Sequence, residues 1–352
     1  MPHIKFFKDI SKKDVASAGG KGASLGEMTK AKLRVPPGFV VLASAFDRFI
    51  EETKLKEEIE ARLADVDPED TNSVDKASNV LRDVIHDTPM PKDLENEILG
   101  AFDELGGRDS SPAKRGLNDR RRTGILKQVQ DDNLVAVRSS ATAEDSDVAS
   151  WAGELETYLN TTRVNVVEKV KQCWSSLFTP RAIFYRHEKK LIDHYVSVAV
   201  VVQKMVQSEI SGIAFTVHPV TEDPDQMIIE AGFGLGEAIV SGQITPDSYI
   251  VSKSEMSIVD INVGVQTKKL VKAKLPLTNS PLIKGRDSNK WIELSEKEGG
   301  KQKLTGKEII EVAKVCKKIE QHYGFPCDIE WAMESGTVYI TQSRPITTLK
   351  KK

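Results

Sequence analysis

Arg138 ends the apolar run Val135-Ala136-Val137 and opens a string of small hydroxyl and acidic residues, Ser139-Ser140-Ala141-Thr142-Ala143-Glu144-Asp145. The string closes at Trp151-Ala152-Gly153-Glu154-Leu155-Glu156-Thr157. Small side chains let an anion approach the backbone, so N–H groups and hydroxyls can donate to phosphate oxygens. A guanidinium adds a planar, permanently charged fork that matches such oxygens. A polar turn after a strand, leading to a capped helix, uses the same residue types, and an isolated Arg-Ser-Ser reads that way. The length of this run, in which nearly every residue can donate, favours phosphate.

A second set lies near the C-terminus. Asp328 to Met333 and Val338 to Arg344 read as two strands turning near Ser335-Gly336. Alternation puts Asp328, Glu330 and Ala332 on one face and gives Val338, Ile340, Gln342 and Arg344 a common parity. A register opposing Glu330 to Gln342 places a carboxylate, an amide and a guanidinium on one surface. Magnesium takes oxygen ligands, usually one or two carboxylates plus phosphate oxygens. Arginine stabilises charge on a transferring phosphoryl group. A plain solvent-facing hairpin is the alternative. Against it, Ile329, Trp331 and Tyr339 are expected to pack on the opposite face, turning the polar trio towards a cleft.

Other residues say less by themselves. Gly19-Gly20-Lys21-Gly22 lacks the spacing of a P-loop and has no Ser or Thr after its lysine, which excludes that NTPase class. Glycines around a lysine still allow close approach to a polyphosphate, although a flexible turn with a surface lysine is the commoner case. Gln203 interrupts the apolar strand Val196 to Met205; a buried amide needs partners, which an adenine edge or the backbone can supply. Gly232-Phe233-Gly234-Leu235-Gly236-Glu237 is a tight loop after a strand. Its third glycine falls one place early for a dinucleotide fingerprint, and Glu237 is a secondary candidate. Cys173, Cys316 and Cys327 have no metal-ligand spacing and read as packing thiols in a reducing compartment. His187, His194, His218 and His322 sit in no Gly-rich, Ser/Thr-flanked segment and read as ordinary loop or surface histidines.

The elements that must position these groups follow from composition and period. The chain has 352 residues, a formal net charge of -2 and 39% hydrophobic content, which suits an α/β protein of two subdomains. The near-neutral balance argues against nucleic acid as a partner. No apolar run approaches the roughly 18 residues of a membrane span, and a cytoplasmic location is expected. Residues 23–28 begin a short helix, and Val35-Pro36-Pro37-Gly38 is a turn into a strand. Ser44 to Leu105 is helical and charged, broken at Asp87-Thr88-Pro89 and Pro91. Residues 106–133, with Lys114, Arg115, Arg120, Arg121 and Arg122, read as an inserted, largely disordered surface loop. Asn165 to Glu188 is helical; 196–205, 212–217, 227–231 and 249–251 are strands; 271–300 is polar and irregular; and 304–323 is helical. The expected domains are 1–195, carrying the insert, and 196–347, followed by a tail at 348–352, with the active site in the cleft between the halves.

The motifs from Gly19-Gly20-Lys21-Gly22 to Gln342-Ser343-Arg344-Pro345 occur in the order found in one family. The chain resembles the nucleotide-binding part of phosphoenolpyruvate synthase (pyruvate, water dikinase), pyruvate phosphate dikinase and rifampin phosphotransferase. The resemblance implies an ATP-grasp-like fold with ATP between two subdomains, and ATP and Mg2+ as cofactors. It implies that Lys21 and Arg138 contact the nucleotide phosphates, that Gly153 and Thr157 lie beside the nucleotide, and that Gln203 lines the adenine pocket. Glu330 and Gln342 would hold nucleotide and magnesium, with Arg344, alongside Arg138, assisting phosphoryl transfer. Trp151 departs from the family's usual Phe, an aromatic exchange.

By the same resemblance, the β-phosphoryl group of ATP ends on a histidine, releasing AMP and phosphate. No segment here resembles the family's phosphohistidine loop or its second-substrate domain. The histidine is therefore expected on a domain or partner outside this chain. The alternatives are part of a rifampin-phosphotransferase-like antibiotic kinase, or a nucleotide-binding module or fragment without complete activity. Glu320-Gln321-His322-Tyr323-Gly324 and Asp87-Thr88-Pro89 look more like the synthase.

Overall fold

The computed structural model describes residues 2–107, 133–142, 156–189, 196–273, 289–347 and 349. Most of the basic insert, the Glu144–Trp151–Gly153 stretch, His194 and most of the tail lie outside these residues. The chain forms two compact units, Met1–Gly26 with Pro37–Met205, and Glu27–Pro36 with Val206–Lys352. Both are mixed α/β.

The first unit is built on a fully antiparallel five-stranded sheet of order β1-β2-β5-β3-β4. The strands are β1 (Ile4–Phe6), β2 (Gly38–Val41), β3 (Val135–Ala141), β4 (Thr157–Thr161) and β5 (Val198–Lys204). The expected boundary at residue 195 is therefore displaced: β5 pairs with both β2 and β3, so the chain leaves this unit only after Met205. The helices are α1 (Val15–Lys30), whose residues from Glu27 on belong to the second unit, α2 (Ala43–Glu52), α3 (Lys56–Ala64), α4 (Thr71–Asp87), α5 (Lys92–Leu105), α6 (Val166–Ser175) and α7 (Pro180–Glu188). Thr179 caps α7 through the Ala182 N–H, and Pro180 fills the first turn, where no N–H is needed. One sheet face presents Phe39, Val41, Val135, Val137, Val200 and Val202 to a core that includes Phe46, Phe49 and Trp174. The Phe49 and Trp174 rings lie 5.1 Å apart.

The second unit carries an antiparallel six-stranded sheet of order β13-β12-β6-β7-β8-β9. Its strands are β6 (Ile210–Phe215), β7 (Gln226–Phe233), β8 (Asp247–Ser252), β9 (Ser257–Asn262), β12 (Cys327–Glu334) and β13 (Thr337–Pro345). Helix α8 (Glu237–Val240) follows β7. A separate hairpin, β10 (Lys268–Lys272) with β11 (Asn289–Glu293), occupies part of the region expected to be irregular, and α9 (Glu296–Gly299) follows it. The long α10 (Gly306–Tyr323) begins with a reciprocal Thr305–Glu308 capping box and stops at Gly324, whose φ of 77° suits a residue without a Cβ. Its buried stripe, Ile309, Val312, Ala313, Cys316 and Ile319, joins the core. Each cysteine is free and buried. Burial holds the Cys173 thiol up at about 12, as befits a packing residue.

Candidate functional site

Register places the first unit's candidates on one sheet face. Arg138 opposes Thr157 on one side and Val201 on the other, and Ala136 opposes Gln203, which opposes Gly38. Arg138, Thr157 and Gln203 therefore share the face opposite the Phe39–Trp174 core. Arg138 and Gln203 are buried, whereas Thr157 is exposed. Gln203's cross-strand neighbours, Gly38 and Ala136, are both small.

The Gly-Gly-Lys-Gly segment lies on this same face. Helix α1 is broken at Gly19, where φ is 69° and ψ 170°. A Cβ there would stand 2.3 Å from the Ser140 carbonyl oxygen, so only glycine fits. The Gly22 N–H donates to Ser140 Oγ at 3.3 Å, and that hydroxyl donates to the Ala18 carbonyl at 3.1 Å. A Cβ on Gly22 would come within 3.0 Å of Val40, another residue of the Arg138 face. Lys21, half-buried, is thus carried on the segment docked over that face.

The hydroxyls beside Arg138 are otherwise engaged. Ser139 points to the core face and donates to the Glu156 and Cys173 carbonyls at 3.1 and 3.3 Å. Thr142 donates to the Ser197 carbonyl at 3.0 Å. The expectation that this run supplies hydroxyl donors to phosphate is corrected for Ser139, Ser140 and Thr142, which hold the segment to its neighbours. Arg138 remains the cation of the run. Gly153 lies outside the described residues.

In the second unit Glu330 opposes Gln342, as the residue pattern predicts, and Asp328 opposes Arg344. The pairing then shifts: Trp331 opposes Ile340, leaving Thr341 as an extra residue on β13. This β-bulge changes parity along the strand. Val338 and Ile340 join Trp331 and Met333 on the apolar face, while Tyr339 opposes Ala332 on the Glu330 face. Two expectations are thereby corrected: Val338 and Ile340 do not share a face with Gln342, and Tyr339 does not pack with Trp331. The bulge buries the aliphatic residues while keeping Gln342 and Arg344 on the polar side.

The rows continue across the sheet. One reads Ser248–Glu230–Ile213–Glu330–Gln342, and the next Ile250–Ile228–Phe215–Asp328–Arg344. Arg344 donates from Nε and Nη2 to Asp328 Oδ2 at 2.8 and 2.7 Å, with about half its side chain exposed. Burial raises the Asp328 carboxyl above the usual range, an effect the Arg344 charge opposes and Glu330 reinforces. Glu230 is also raised, first by burial and then by the Asp328 charge. Oxygen donors from Glu330 and Gln342 in direct opposition suit a hard cation such as magnesium.

Asp328 and Glu230 were not among the sequence candidates for a functional role. Glu230 carries the signal that singled out Gln203, a polar residue interrupting an apolar strand. Two of the histidines have structural partners: His218 Nδ1 accepts from the Val220 and Thr221 N–H groups at 3.2 Å, and His322 pairs with Glu27 at 3.0 Å. No described helix is long and apolar enough to cross a membrane.

Residues 15–352 match the family model described as "Pyruvate phosphate dikinase, AMP/ATP-binding domain". The chain is 44% identical over 353 residues to a probable phosphoenolpyruvate synthase of Methanocaldococcus jannaschii, covering 100% of this chain and 27% of that protein. It is 44% identical over 350 residues to the Archaeoglobus fulgidus probable phosphoenolpyruvate synthase, covering 99% and 42%. It is 39% identical over 386 residues to the Pyrococcus furiosus phosphoenolpyruvate synthase, covering 99% and 44%. The chain thus spans less than half the length of each of these relatives.

Proposed function

The chain belongs to the pyruvate phosphate dikinase AMP/ATP-binding domain family, and on that premise we propose that it is the ATP-binding, phosphoryl-donating part of a phosphoenolpyruvate-synthase-like dikinase. Its fold is ATP-grasp-like. The observation that carries the reading is the opposition of Glu330 to Gln342, flanked by the Asp328–Arg344 pair on the same sheet face. Those groups match the needs of a metal-bound polyphosphate: oxygen donors for Mg2+ and a guanidinium for phosphoryl oxygens.

Glu330 and Gln342 hold Mg2+, which neutralises charge on the phosphates when bound. Arg344 stabilises the transferring phosphoryl group. In the first unit, Lys21 and Arg138 contact phosphate oxygens, Thr157 and Gly153 lie beside the nucleotide, and Gln203 lines the adenine pocket. The β-phosphoryl group passes to a histidine on a domain or partner outside this chain, with release of AMP and phosphate. Pyruvate is the final acceptor, following the names of the relatives.

The test is Mg·ATP binding by calorimetry, followed by phosphohistidine detection on the histidine domain of a phosphoenolpyruvate synthase supplied in trans. AMP formation coupled to histidine phosphorylation is expected. Absence of ATP binding, or transfer that yields ADP, would refute the reading.

A further inference from the structure

We propose that Gln266 is a positioning residue for the ATP site. It fixes the Gly-rich loop 232–237 and the α8 turn as a preset roof over the sheet face that carries Glu230, Glu330 and Gln342. The proposal rests on the assignment of that face to Mg·ATP.

The loop turns back over this face. Ser211 and Gly232 belong to the row next to Glu230 and Glu330, opposing one another and, through Ser211, Ala332. A Cβ on Gly232 would collide with Ile244 and Ile239 at 2.6 and 3.1 Å, so residues of α8 and the following segment cover Gly232. A Cβ on Gly236 would lie 3.7 Å from the Ser211 side chain. Exposed Glu237 therefore starts a turn seated beside the carboxylate row.

The loop's backbone is clamped far more than a connection requires. Phe233 lies two residues beyond the last β7–β8 pairing, Ala231–Asp247. There the fully buried Gln266 side chain replaces a neighbouring strand. Its Oε1 accepts from the Phe233 N–H at 2.8 Å, and its Nε2 donates to the Phe233 and Lys268 carbonyls at 2.9 and 2.8 Å. On the other side the Gly234 carbonyl accepts from both Ser208 Oγ and Ser211 Oγ at 3.0 and 2.7 Å. The Gly234 N–H donates to the Glu209 carbonyl, and the Leu235 N–H to the Leu270 carbonyl, each at 2.9 Å. Gly234 itself has φ 95°, and a Cβ there would stand 2.4 Å from the Leu270 oxygen. A loop held by buried amide and hydroxyl donors is pre-organised, and pre-organisation of the supporting residues is what a binding face needs.

The experiment compares Mg·ATP affinity, thermal midpoint and amide exchange for the wild-type chain, Gln266→Met, Ser211→Ala and a control, Lys253→Met. The control breaks the Lys253–Glu320 ion pair (2.7 Å) and leaves the loop contacts untouched. Gln266→Met is expected to weaken Mg·ATP binding about tenfold, with faster exchange confined to residues 233–240. Ser211→Ala, which keeps the Ser208 donor, should weaken binding about threefold and decides the matter if Gln266→Met does not fold. Lys253→Met should lower the midpoint without changing affinity. Wild-type affinity in the folded Gln266 variant, or an equal affinity loss in the control, overturns the positioning role. Failure of the wild-type chain to bind Mg·ATP overturns the site assignment itself.

Discussion

Arg344→Ala separates chemistry from architecture. The Arg344–Asp328 contact is an ion pair with a guanidinium about half exposed. Such pairs contribute about 0.2–1 kcal/mol, since water and salt screen them. Asp328 is already held towards its neutral form by burial, so it can take up a proton when the cation is lost. The variant should therefore lose about 1 kcal/mol of stability or less, which is about 2 °C in thermal midpoint.

The effect on transfer should be much larger. Charge spreads over the phosphoryl oxygens in the transition state, where a positioned arginine is worth about 10³-fold or more. That corresponds to about 4 kcal/mol at 1.36 kcal/mol per decade, several times the stability term. Ground-state contacts change less, so ATP affinity should fall by less than about tenfold. Arg344→Lys should rescue poorly, because a point charge does not reproduce the fork. The assay is AMP-coupled phosphorylation of a histidine domain supplied in trans, with affinity and melting measured on the same preparation. Transfer within a few fold of wild type would remove Arg344 from the mechanism and leave the hairpin a structural role. Equal losses in transfer and affinity would make it a ground-state contact instead.

Three further outcomes are expected. Glu330→Gln should raise the magnesium concentration needed for half-maximal ATP binding, because it removes a ligand charge; an unchanged titration would place the metal elsewhere. Glu230 has a raised carboxyl pKa in the fold, so the native state binds its proton more tightly than the unfolded chain. Its contribution is fully present below the unfolded value and is lost as pH rises through the folded value. Glu230→Gln should therefore raise the melting temperature at neutral pH, with the gain vanishing below about pH 4; a gain that grows in acid would contradict this. The Asp247–Lys303 pair, 2.8 Å apart and fully buried, should respond asymmetrically. Lys303→Met leaves the carboxylate bonded by Tyr249 OH and the Gly264 and residue-303 backbone N–H groups, whereas Asp247→Ala leaves the ammonium with two neutral carbonyls, of Gly264 and Gly299, and the Phe233 ring face 5.5 Å away, but no counter-charge. Denaturant unfolding should give the larger loss, about 3–5 kcal/mol, for Asp247→Ala, and equal losses would refute the accounting.

Periodic, apolar stretches were legible from sequence because local pattern and tertiary burial agree in them. Strands β2, β5, β6 and β7, the helices between 44 and 105, and α10 all appear where the pattern puts them. Other elements are held mainly by partners distant in sequence. Strand β9 lies at the sheet edge with Val259 and Ile261 exposed, so it shows little apolar bias towards a core. Strands β10 (Lys-Lys-Leu-Val-Lys) and β11 (Asn-Lys-Trp-Ile-Glu) pair segments whose register no alternation reveals. The hydroxyls of Ser139 and Ser140 look like phosphate donors in sequence. The acceptors lie 17 and 34 positions away for Ser139 and 122 for Ser140, pairings only the folded chain creates.

The hairpin shows most clearly why a site can be half legible. Simple alternation requires Val338, Ile340, Gln342 and Arg344 to share one face, which would expose two aliphatic side chains or bury an arginine. Either arrangement is costly: burying a charge without a partner costs more than any cross-strand contact returns. One extra residue, Thr341, removes the conflict by shifting the pairing between Glu330 and Trp331. The physical clue was present in the residue types, since aliphatic and polar residues of the same parity within five positions cannot both be satisfied by a regular strand. A parity conflict flanking a carboxylate–amide pair is therefore itself a signal. It marks a bulge, and bulges gather where a strand must re-aim side chains at a functional face. Deleting Thr341 tests the argument. The deletion keeps Glu330 opposite Gln342 and Trp331 opposite Ile340 with no extra residue between them, so the fold should survive. If the bulge serves to aim Gln342 and Arg344, Mg·ATP binding or transfer should weaken in a chain of near-wild-type stability. Unaltered function would reduce the bulge to a packing device.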